Sequence, residues 1–418
     1  MASITPILMQ NNTAGSTTST TEVDLSRQTA ALANGVEYLV LYYLNGGGSD
    51  TTARPELNLR FGASASLPSG TRLGHTIGEG RGTGDHWDSS QLQGVCKVTG
   101  DGSSVLGFTG STNGLGSDTC HFGAAAILAI PLTEIGSALQ FNGTDSDADE
   151  QANVGTASMT TIRTVDFTLP VTGDYLVVMS MEVSIDGTAD TDGYLAEFEV
   201  DGTRINPQTI REEWENAADI MSPAACQILN LTSGSHTFRC RGQSQGSASC
   251  DFGRSRIAVL QLTDIFDQWI QTVDATEATV TATTYGTSAM LSTTYTPNQQ
   301  EYVLILGNWT SFISTTDSCV TRIRNTTDST SFCEDAGEYL NKSATEDDSS
   351  EMPMACEQIS AAKTYEVQMR TLAGTASYGD ANVDSRLIFL GLTTQEEAPL
   401  KVRDPILSGG VVPFRRAA

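Results

Sequence analysis

A threefold internal repeat constrains this chain more than any other feature. Cys96, Cys226 and Cys356 stand 130 residues apart, in Val-Cys-Lys-Val-Thr, Ala-Cys-Gln-Ile-Leu and Ala-Cys-Glu-Gln-Ile. Leu132-Thr133-Glu134-Ile135, Leu262-Thr263-Asp264-Ile265 and Leu392-Thr393-Thr394 keep the same spacing, and Cys120-His121-Phe122-Gly123 matches Cys250-Asp251-Phe252-Gly253. A further anchor drifts by a few residues, as loop insertions would make it: Glu37-Tyr38-Leu39-Val40, Asp174-Tyr175-Leu176-Val177 and Glu301-Tyr302-Val303-Leu304. Several anchors in register predict one structural unit used three times. The boundaries fall at 1–137 (an N-terminal arm and the first unit), 138–265 and 266–395, with an extended tail over 396–418.

Each unit reads as β. Tyr38 to Leu44 is aromatic and aliphatic, bounded by Gly35 and by Gly46-Gly47-Gly48. Leu57 to Phe61, Leu195 to Val200 and Val320 to Arg324 alternate apolar with polar, which puts one face on a core and one in water. Asp201-Gly202 marks a hairpin turn. Ser104 to Thr109, His236 to Arg241 and Tyr365 to Arg370 follow as strands, and each unit closes on an apolar strand: Ala125 to Leu132, Arg256 to Leu262, Arg386 to Leu392. Helices are expected only near Ser26 to Leu32 and over Pro207 to Ala217, the latter with Asn206 as N-cap. Asp145 to Glu150 reads as a polar linker. About eight strands per unit predict an all-β protein of three tandem jelly-roll β-sandwich domains with extended terminal arms.

The order of these signals resembles the tumour-necrosis-factor/complement-like jelly roll. The second unit carries it most clearly, in Gly173-Asp174-Tyr175-Leu176-Val177, Val200-Asp201-Gly202 and Leu231-Thr232-Ser233-Gly234-Ser235-His236-Thr237-Phe238. The first unit lacks the Asp-Gly turn, with Asn58-Leu59-Arg60-Phe61-Gly62, and in the third Tyr365 replaces the His-x-Phe lead. The resemblance covers almost the whole chain and specifies fold better than function. It implies tandem modules of the kind used in tailed-virus particles as capsid decorations, turrets and fibres. It also implies trimerisation of single units, leaving three fused copies either to stack as beads or to form a pseudo-three-fold on their own.

Charge narrows the field. With 23 basic against 50 acidic residues the chain carries −27, which excludes broad binding to nucleic-acid phosphates. Only four lysines occur, Lys97, Lys342, Lys363 and Lys401. Scarce Lys with abundant Thr, Gly and Asp fits a protein of salty water, where salt screens self-repulsion. The longest apolar stretch, Phe122 to Leu132, holds Gly123 and Pro131, so no transmembrane helix is expected. The start, Met1-Ala2-Ser3-Ile4-Thr5, lacks the basic and apolar regions of a signal peptide, so synthesis in a host cytoplasm is expected.

Chemistry is sparse. His75, His86, His121 and His236 do not recur across the three units and read as surface or turn residues rather than catalytic bases. Gly78 to Gly84 is glycine-rich, but its all-β context fits a loop rather than a phosphate cradle. Cys96/Cys120, Cys226/Cys250 and Cys319/Cys333 are candidate disulfides, against the alternative of buried thiols acting as small apolar residues. Asp186, Asp190 and Asp192 offer oxygens to Ca²⁺ in a loop that departs from EF-hand spacing, and a solvated acidic loop is the competing reading. Trp87 and Trp214, on comparable loops, are candidate glycan or receptor contacts or caps on the sandwich core. No catalytic constellation and no further cofactor is expected.

The tail from Lys401 to Ala418 is basic, with Lys401, Arg403, Arg415 and Arg416 against Asp404, and its prolines and Gly409-Gly410 favour an extended strap. Lys401, Arg403, Phe414, Arg415 and Arg416 are the expected partner-binding arm, laid across the edge of a neighbouring subunit while the body folds without it. These readings converge on a non-enzymatic virion protein, a capsid decoration or turret subunit of a tailed virus from a saline habitat. Its partners would be its own copies, as trimer or pentamer, and the major capsid protein. The alternative is a tail or fibre protein that binds a host receptor or surface glycan. A polysaccharide depolymerase would need clustered carboxylates in a cleft.

Overall fold

The structure, a computed structural model, describes residues 6–48, 55–78, 88–113, 119–135, 138–143, 149–186, 192–205, 210–214, 219–246, 249–263, 265–276, 278–286, 289–313, 319–336, 347–371, 375–378, 384–392 and 401–403. The chain is all-β, built as three two-sheet sandwiches of jelly-roll type. In each, one sheet is formed around a long central strand: Glu37–Gly48, Gly173–Asp186 and Glu301–Ile313. On one side of the central strand runs the closing strand: Cys120–Pro131, Ser249–Gln261 and Ser385–Leu392. On the other side runs the strand bearing the first cysteine anchor: Asp88–Thr99, Ala224–Leu231 and Met354–Ile359. The second sheet of each unit contains the alternating strands, Glu56–Ala63, Asp192–Val200 and Cys319–Asn325.

The two sheets differ in sequence because they differ in what they face. Alternate residues of the first central strand enter two cores. Tyr38, Val40, Tyr42 and Leu44 pack inside the first sandwich, while Leu39, Leu41 and Tyr43 join a core common to all three units. The second unit does the same, with Tyr175, Val177 and Met179 inward and Leu176 and Val178 in the common core. The closing strands split likewise: Ile127 and Ala129 against Ala126, Leu128 and Ile130, then Ile257 and Val259 against Ala258 and Leu260. In the third unit both sides merge into the common core, through Val303, Leu304, Ile305 and Leu306. A strand buried on both faces needs a continuous apolar run, and a strand with a wet face needs alternation.

The units therefore close on one another rather than hang as beads. The cysteine strand of the first unit packs on the central and closing strands of the second. That of the second packs on the equivalent strands of the third. The third returns to the first through Met354–Ile359 and Thr330–Ala336 against Cys120–Pro131. Unit one meets two, two meets three, and three meets one, each setting its cysteine strand against the closing strand of the next, the head-to-tail contact that closes a ring.

Three local expectations change. Ser26 to Leu32 is not helical: Val23–Gln28 is a strand that pairs with Ser104–Ser111, and Ser26 sits at a bulge with φ 58°. Within Pro207 to Ala217, Ile210–Trp214 is a strand on Asp192–Val200, and Asn206, Pro207 and 215–218 lie outside the described residues. In both segments the free edge of a neighbouring strand overrides a weak local helical preference. Of the linker stretch, Asp149 and Glu150 begin the strand Asp149–Val154 on Ser249–Gln261. The Asp201-Gly202 turn forms as its sequence requires, with φ of 52° and 76° and Val200 opposite Thr203.

Candidate functional site

The ring junctions hold the densest chemistry, and each is bridged by side-chain to backbone hydrogen bonds. Between units one and two, Val95 donates its backbone N–H to Ser180 Oγ at 3.3 Å, and Thr76 Oγ1 donates to the Ile220 carbonyl at 2.7 Å. Between two and three, Asn308 Nδ2 donates to the Cys226 carbonyl at 2.9 Å, and Gln271 Oε1 accepts from Ile228 N–H at 2.8 Å. Between three and one, Gln10 Oε1 accepts from Cys356 N–H and Gln93 Oε1 from Met352 N–H, each at 2.6 Å. Side-chain hydroxyls at the first junction and amides at the other two thus satisfy backbone groups that would otherwise be buried unpaired.

Junction one–two also buries a cluster of ionisable groups. Glu56, Arg72 and His75 come from the first unit, and Glu182, Arg254 and Arg256 from the second. His75, 6% exposed, places Nε2 3.2 Å from Glu56 Oε1, and Arg72 Nη1 lies 3.5 Å from the same oxygen. Arg254 Nη1 is 2.5 Å from Glu182 Oε2, and Arg256 Nη1 lies 3.4 Å from Tyr42 Oη. Burial, with Arg72 and Arg254 nearby, lowers the pKa of His75 against the pull of Glu56. The hydrogen bond from His75 holds Glu56 down at about 2, with Asn58 and Ser111 assisting. Burial pushes Glu182 up to about 8, against Arg256, Arg72 and the His75 backbone N–H. A second unit-two cluster lies on its outer sheet, where Arg241 Nη1 spans Glu199 at 2.6 Å and Glu197 at 3.4 Å, and Arg204 meets Glu197 at 2.9 Å.

The histidines are not surface residues throughout. His75 and His236 are buried, because each completes a polar cluster. His236 Nδ1 sits 2.6 Å from Asp201 Oδ2 and Nε2 2.8 Å from the Thr232 carbonyl, so the motif residues of the Asp-Gly hairpin pin one turn to another. This carboxylate raises the pKa of His236 against partial burial. His121 is half-buried opposite Gly47, and His86 lies outside the described residues.

The three candidate disulfides do not form, and strand register gives the reason. All eight cysteines are buried and none is bridged. Cys96 pairs with Val40 and Cys120 with Gly48 on opposite sides of one strand, eight residues or about 26 Å apart. Cys226 opposes Val178 and Cys250 opposes Ile185, seven residues along the same strand. Cys319 opposes Thr371, whereas Cys333 lies near Phe332, which pairs with Ile323, about three residue steps away. A disulfide needs Cα atoms within about 7 Å. Cys333 Sγ instead donates to the Met354 carbonyl at 3.2 Å, and Cys226 Sγ to the Gly307 carbonyl at 3.7 Å.

Of the candidate ligand residues, Asp186, Asp192 and Trp214 share one end of the second unit. Asp186 ends its strand opposite Ser249, and Asp192 begins the strand whose register sets it opposite Trp214. Asp190 and Trp87 lie outside the described residues. Among the described residues no group of three His, Cys, Asp or Glu side chains converges as metal ligands do. The basic arm is corrected in part: Lys401–Arg403 is a strand, but it pairs in parallel with Ile7–Asn11 of its own chain, Ile7 opposite Lys401 and Met9 opposite Arg403. That strand offers its open edge within the chain itself. Phe414, Arg415 and Arg416 lie outside the described residues. Sequence reasoning missed the junction cluster, whose signal was Arg254 and Arg256 directly before the apolar run Ile257 to Leu260 of the closing strand.

No family model and no curated protein matches the chain. Among solved structures it is similar to N-glycanase F of Flavobacterium meningosepticum, at 10% identity over 62% of this chain and 96% of that one, TM-score 0.30. It is similar to the infectious bursal virus protein that forms T=1 particles, at 8% identity over 95% and 79%, TM-score 0.21. It is also similar to a triple jelly-roll turret protein of an archaeal virus, at 10% identity over 93% and 88%, TM-score 0.16. Likenesses this distant carry no function across. The chain is an all-β protein of jelly-roll sandwiches whose distant structural neighbours include proteins of virus particles.

Proposed function

We propose that this chain is a non-enzymatic structural subunit of a virus particle, set on the capsid surface as a decoration or turret subunit of a tailed virus. The observation that supports this reading is the closed ring with its common core. Three fused sandwiches spend their apolar faces on one another and make a rigid block from a single polypeptide. Such a block offers broad strand surfaces for docking to a shell, and shell sites are symmetric, so several copies assemble per particle. Its partners are the capsid shell and neighbouring copies. The acidic surface, at −27 overall, suits a particle that stays dispersed in saline water.

A receptor- or glycan-binding fibre is the second reading, favoured by the register that sets Trp214 opposite Asp192 at one end of the second unit. One experiment separates the two. Particles purified by density gradient from the producing host are probed for this chain by mass spectrometry and imaged by electron microscopy. The decoration reading expects the chain in the particle band, with three-lobed density repeated over the shell. The fibre reading expects that density on the tail alone. Complete particles without the chain would overturn both.

A further inference from the structure

We propose that the edge of the third unit's outer sheet, the strand Ala289–Tyr295, is the face by which one copy of this chain pairs with a second. This contact deepens the reading of a subunit present in several copies per particle, and rests on it. The ring uses one end of each outer sheet: Thr71–Ile77 meets Asp219–Met221, Ile210–Trp214 meets Asp347–Glu351, and Thr330–Ala336 meets Cys120–Pro131. The opposite ends are the strands Val23–Gln28, Thr160–Leu169 and Ala289–Tyr295. Among the described residues no strand pairs with the outer side of any of them. Each therefore presents a row of backbone N–H and C=O groups that a further strand can take up.

Two of these edges are closed to a second copy by their own residues. In Val23–Gln28 the ladder is interrupted between Asp24 and Arg27, where Ser26 takes φ 58° in a bulge, a device that bends a strand and ends its pairing. Thr160–Leu169 keeps a regular ladder from Arg163 to Leu169, with exposed Asp166 at its midpoint. Antiparallel pairing of two copies about that midpoint would set one Asp166 against the other, and like charges directly opposite repel. Ala289–Tyr295 carries neither device over its regular part, Leu291 to Tyr295. Leu291, Thr293 and Tyr295 are buried there, and Ser292 and Thr294 are exposed. A two-fold axis through Thr293 sets Ser292 of one copy against Thr294 of the other, a neutral hydroxyl pair of the kind that stabilises adjoining strands.

Charge selects a second copy as the occupant. At −27, two copies repel wherever carboxylates meet, so their contact favours a neutral surface. Residues 278–300 form the longest run in the chain without Asp, Glu, Lys, Arg or His, and this edge lies within it. Thr279, Thr281, Thr283, Thr284 and Thr296 of the same run are also exposed. On the neighbouring strand, Lys363 stands opposite Tyr295 and Glu366 opposite Ser292. Across a paired edge the two Glu366 residues would stand three strand spacings apart, roughly 14 Å. That exceeds the screening length of about 8 Å at physiological ionic strength, and exceeds it further in saline water.

Sedimentation velocity of the intact chain, over a range of concentrations in molar salt, tests the contact. A reversible monomer–dimer equilibrium is expected. Thr294→Glu, which adds a carboxylate to the edge, should raise the dissociation constant at least about tenfold. Thr164→Glu, on the second unit's edge and opposite Arg239 of its own sheet, should leave it unchanged. If Thr294→Glu fails to fold, Ser292→Lys sets a charge on the same edge opposite Glu366 of its own chain and should weaken the dimer likewise. A chain that stays monomeric at every concentration, a dimer untouched by the Thr294 and Ser292 variants, or one broken by Thr164→Glu would overturn the proposal. The virion role is read from the particle band and fails separately. A dimerising chain absent from particles overturns that role and leaves this contact standing; a particle-bound chain that never dimerises does the reverse.

Discussion

Truncating one leucine per unit distinguishes a ring from beads. Leu128, Leu176 and Leu304 are each at most 1% exposed and belong to the common core, yet they come from three different units. Leu128 lies opposite Leu8 and Leu41, Leu176 opposite Ile228 and Leu260, and Leu304 opposite Cys356 and Leu390. Replacing a packed core leucine by alanine costs about 2–5 kcal/mol, because lost transfer energy adds to the cavity left behind. Unfolding entropy near 2.1 cal/mol/K per residue gives about 0.9 kcal/mol/K for a chain of this length. Each variant should therefore lower Tm by about 2–6 °C. In a ring the loss is felt by all three units, since one continuous core couples their unfolding. Differential scanning calorimetry should show one endotherm, with calorimetric and van't Hoff enthalpies in agreement, displaced in all three variants. Three resolved transitions, with Leu176→Ala moving only one, would refute the shared core as the element that couples the units.

Gly94→Ala tests the packing of junction one–two more finely. Gly94 has φ +151°, and a Cβ there would stand 2.8 Å from Tyr42 Oη and 2.9 Å from Ser180 Oγ, so a loss of about 1–3 kcal/mol in denaturant titration is expected. Thiol titration should find eight reactive cysteines in denaturant without reductant and almost none in the native chain; two in denaturant would restore the three bridges. Tm should rise between dilute buffer and molar salt, because −27 repels itself in dilute solution. A flat salt profile would remove the case for a saline habitat. Deleting residues 399–418 uncovers the edge of Ile7–Asn11 and should cost about 1–3 kcal/mol, at ~1 kcal/mol per lost strand bond, seen as a Tm drop of a few degrees. No change in Tm would mean that the strap is not part of the folded body.

Much of the fold was legible because a repeat multiplies each weak signal by three. Apolar alternation in Leu195 to Val200 marked a strand whose Ala196, Phe198 and Val200 face the core, and Asp201-Gly202 marked its turn; the expected wet face is instead covered, with Glu197 and Glu199 buried beneath Arg204 and Arg241. The same logic, carried further, would have exposed the ring. Tyr38 to Leu44 and Ala125 to Pro131 are apolar at every position, more than one sandwich core can use, and the surplus face is the one that meets the next unit. The cysteine pairs misled because equal sequence spacing records the repeat, not proximity: Cys96 and Cys120 recur as Cys226 and Cys250 at the same long separation along a strand. Helical guesses failed where an open strand edge lay nearby, which single-sequence reading does not see. The junction cluster was hidden for a related reason. Glu56, His75, Glu182 and Arg254 are far apart in sequence, and only the ring brings them together.

Fusion also explains how such a cluster is tolerated. In a homotrimer every junction carries the same residues, so a buried group of arginines, carboxylates and histidine would be repeated three times, each with its desolvation penalty. In one chain the three copies of a position vary independently. Here the position of Arg254 and Arg256 is Ala124 and Ala126 in the first unit and Asp384 and Arg386 in the third. The apolar version supplies burial without penalty, the locally paired version fixes an orientation, and the third ties its arginines to groups around the junction. Arg254→Ala together with Arg256→Ala would copy the first unit's residues into the second. Because Glu182 would then lose the guanidinium it is bonded to while staying packed at the junction, the double variant should be destabilised at pH 7, whereas adding Glu182→Leu, which removes the stranded carboxyl group, should recover stability. Recovery without Glu182→Leu would show that the arginines and Glu182 are not one coupled group.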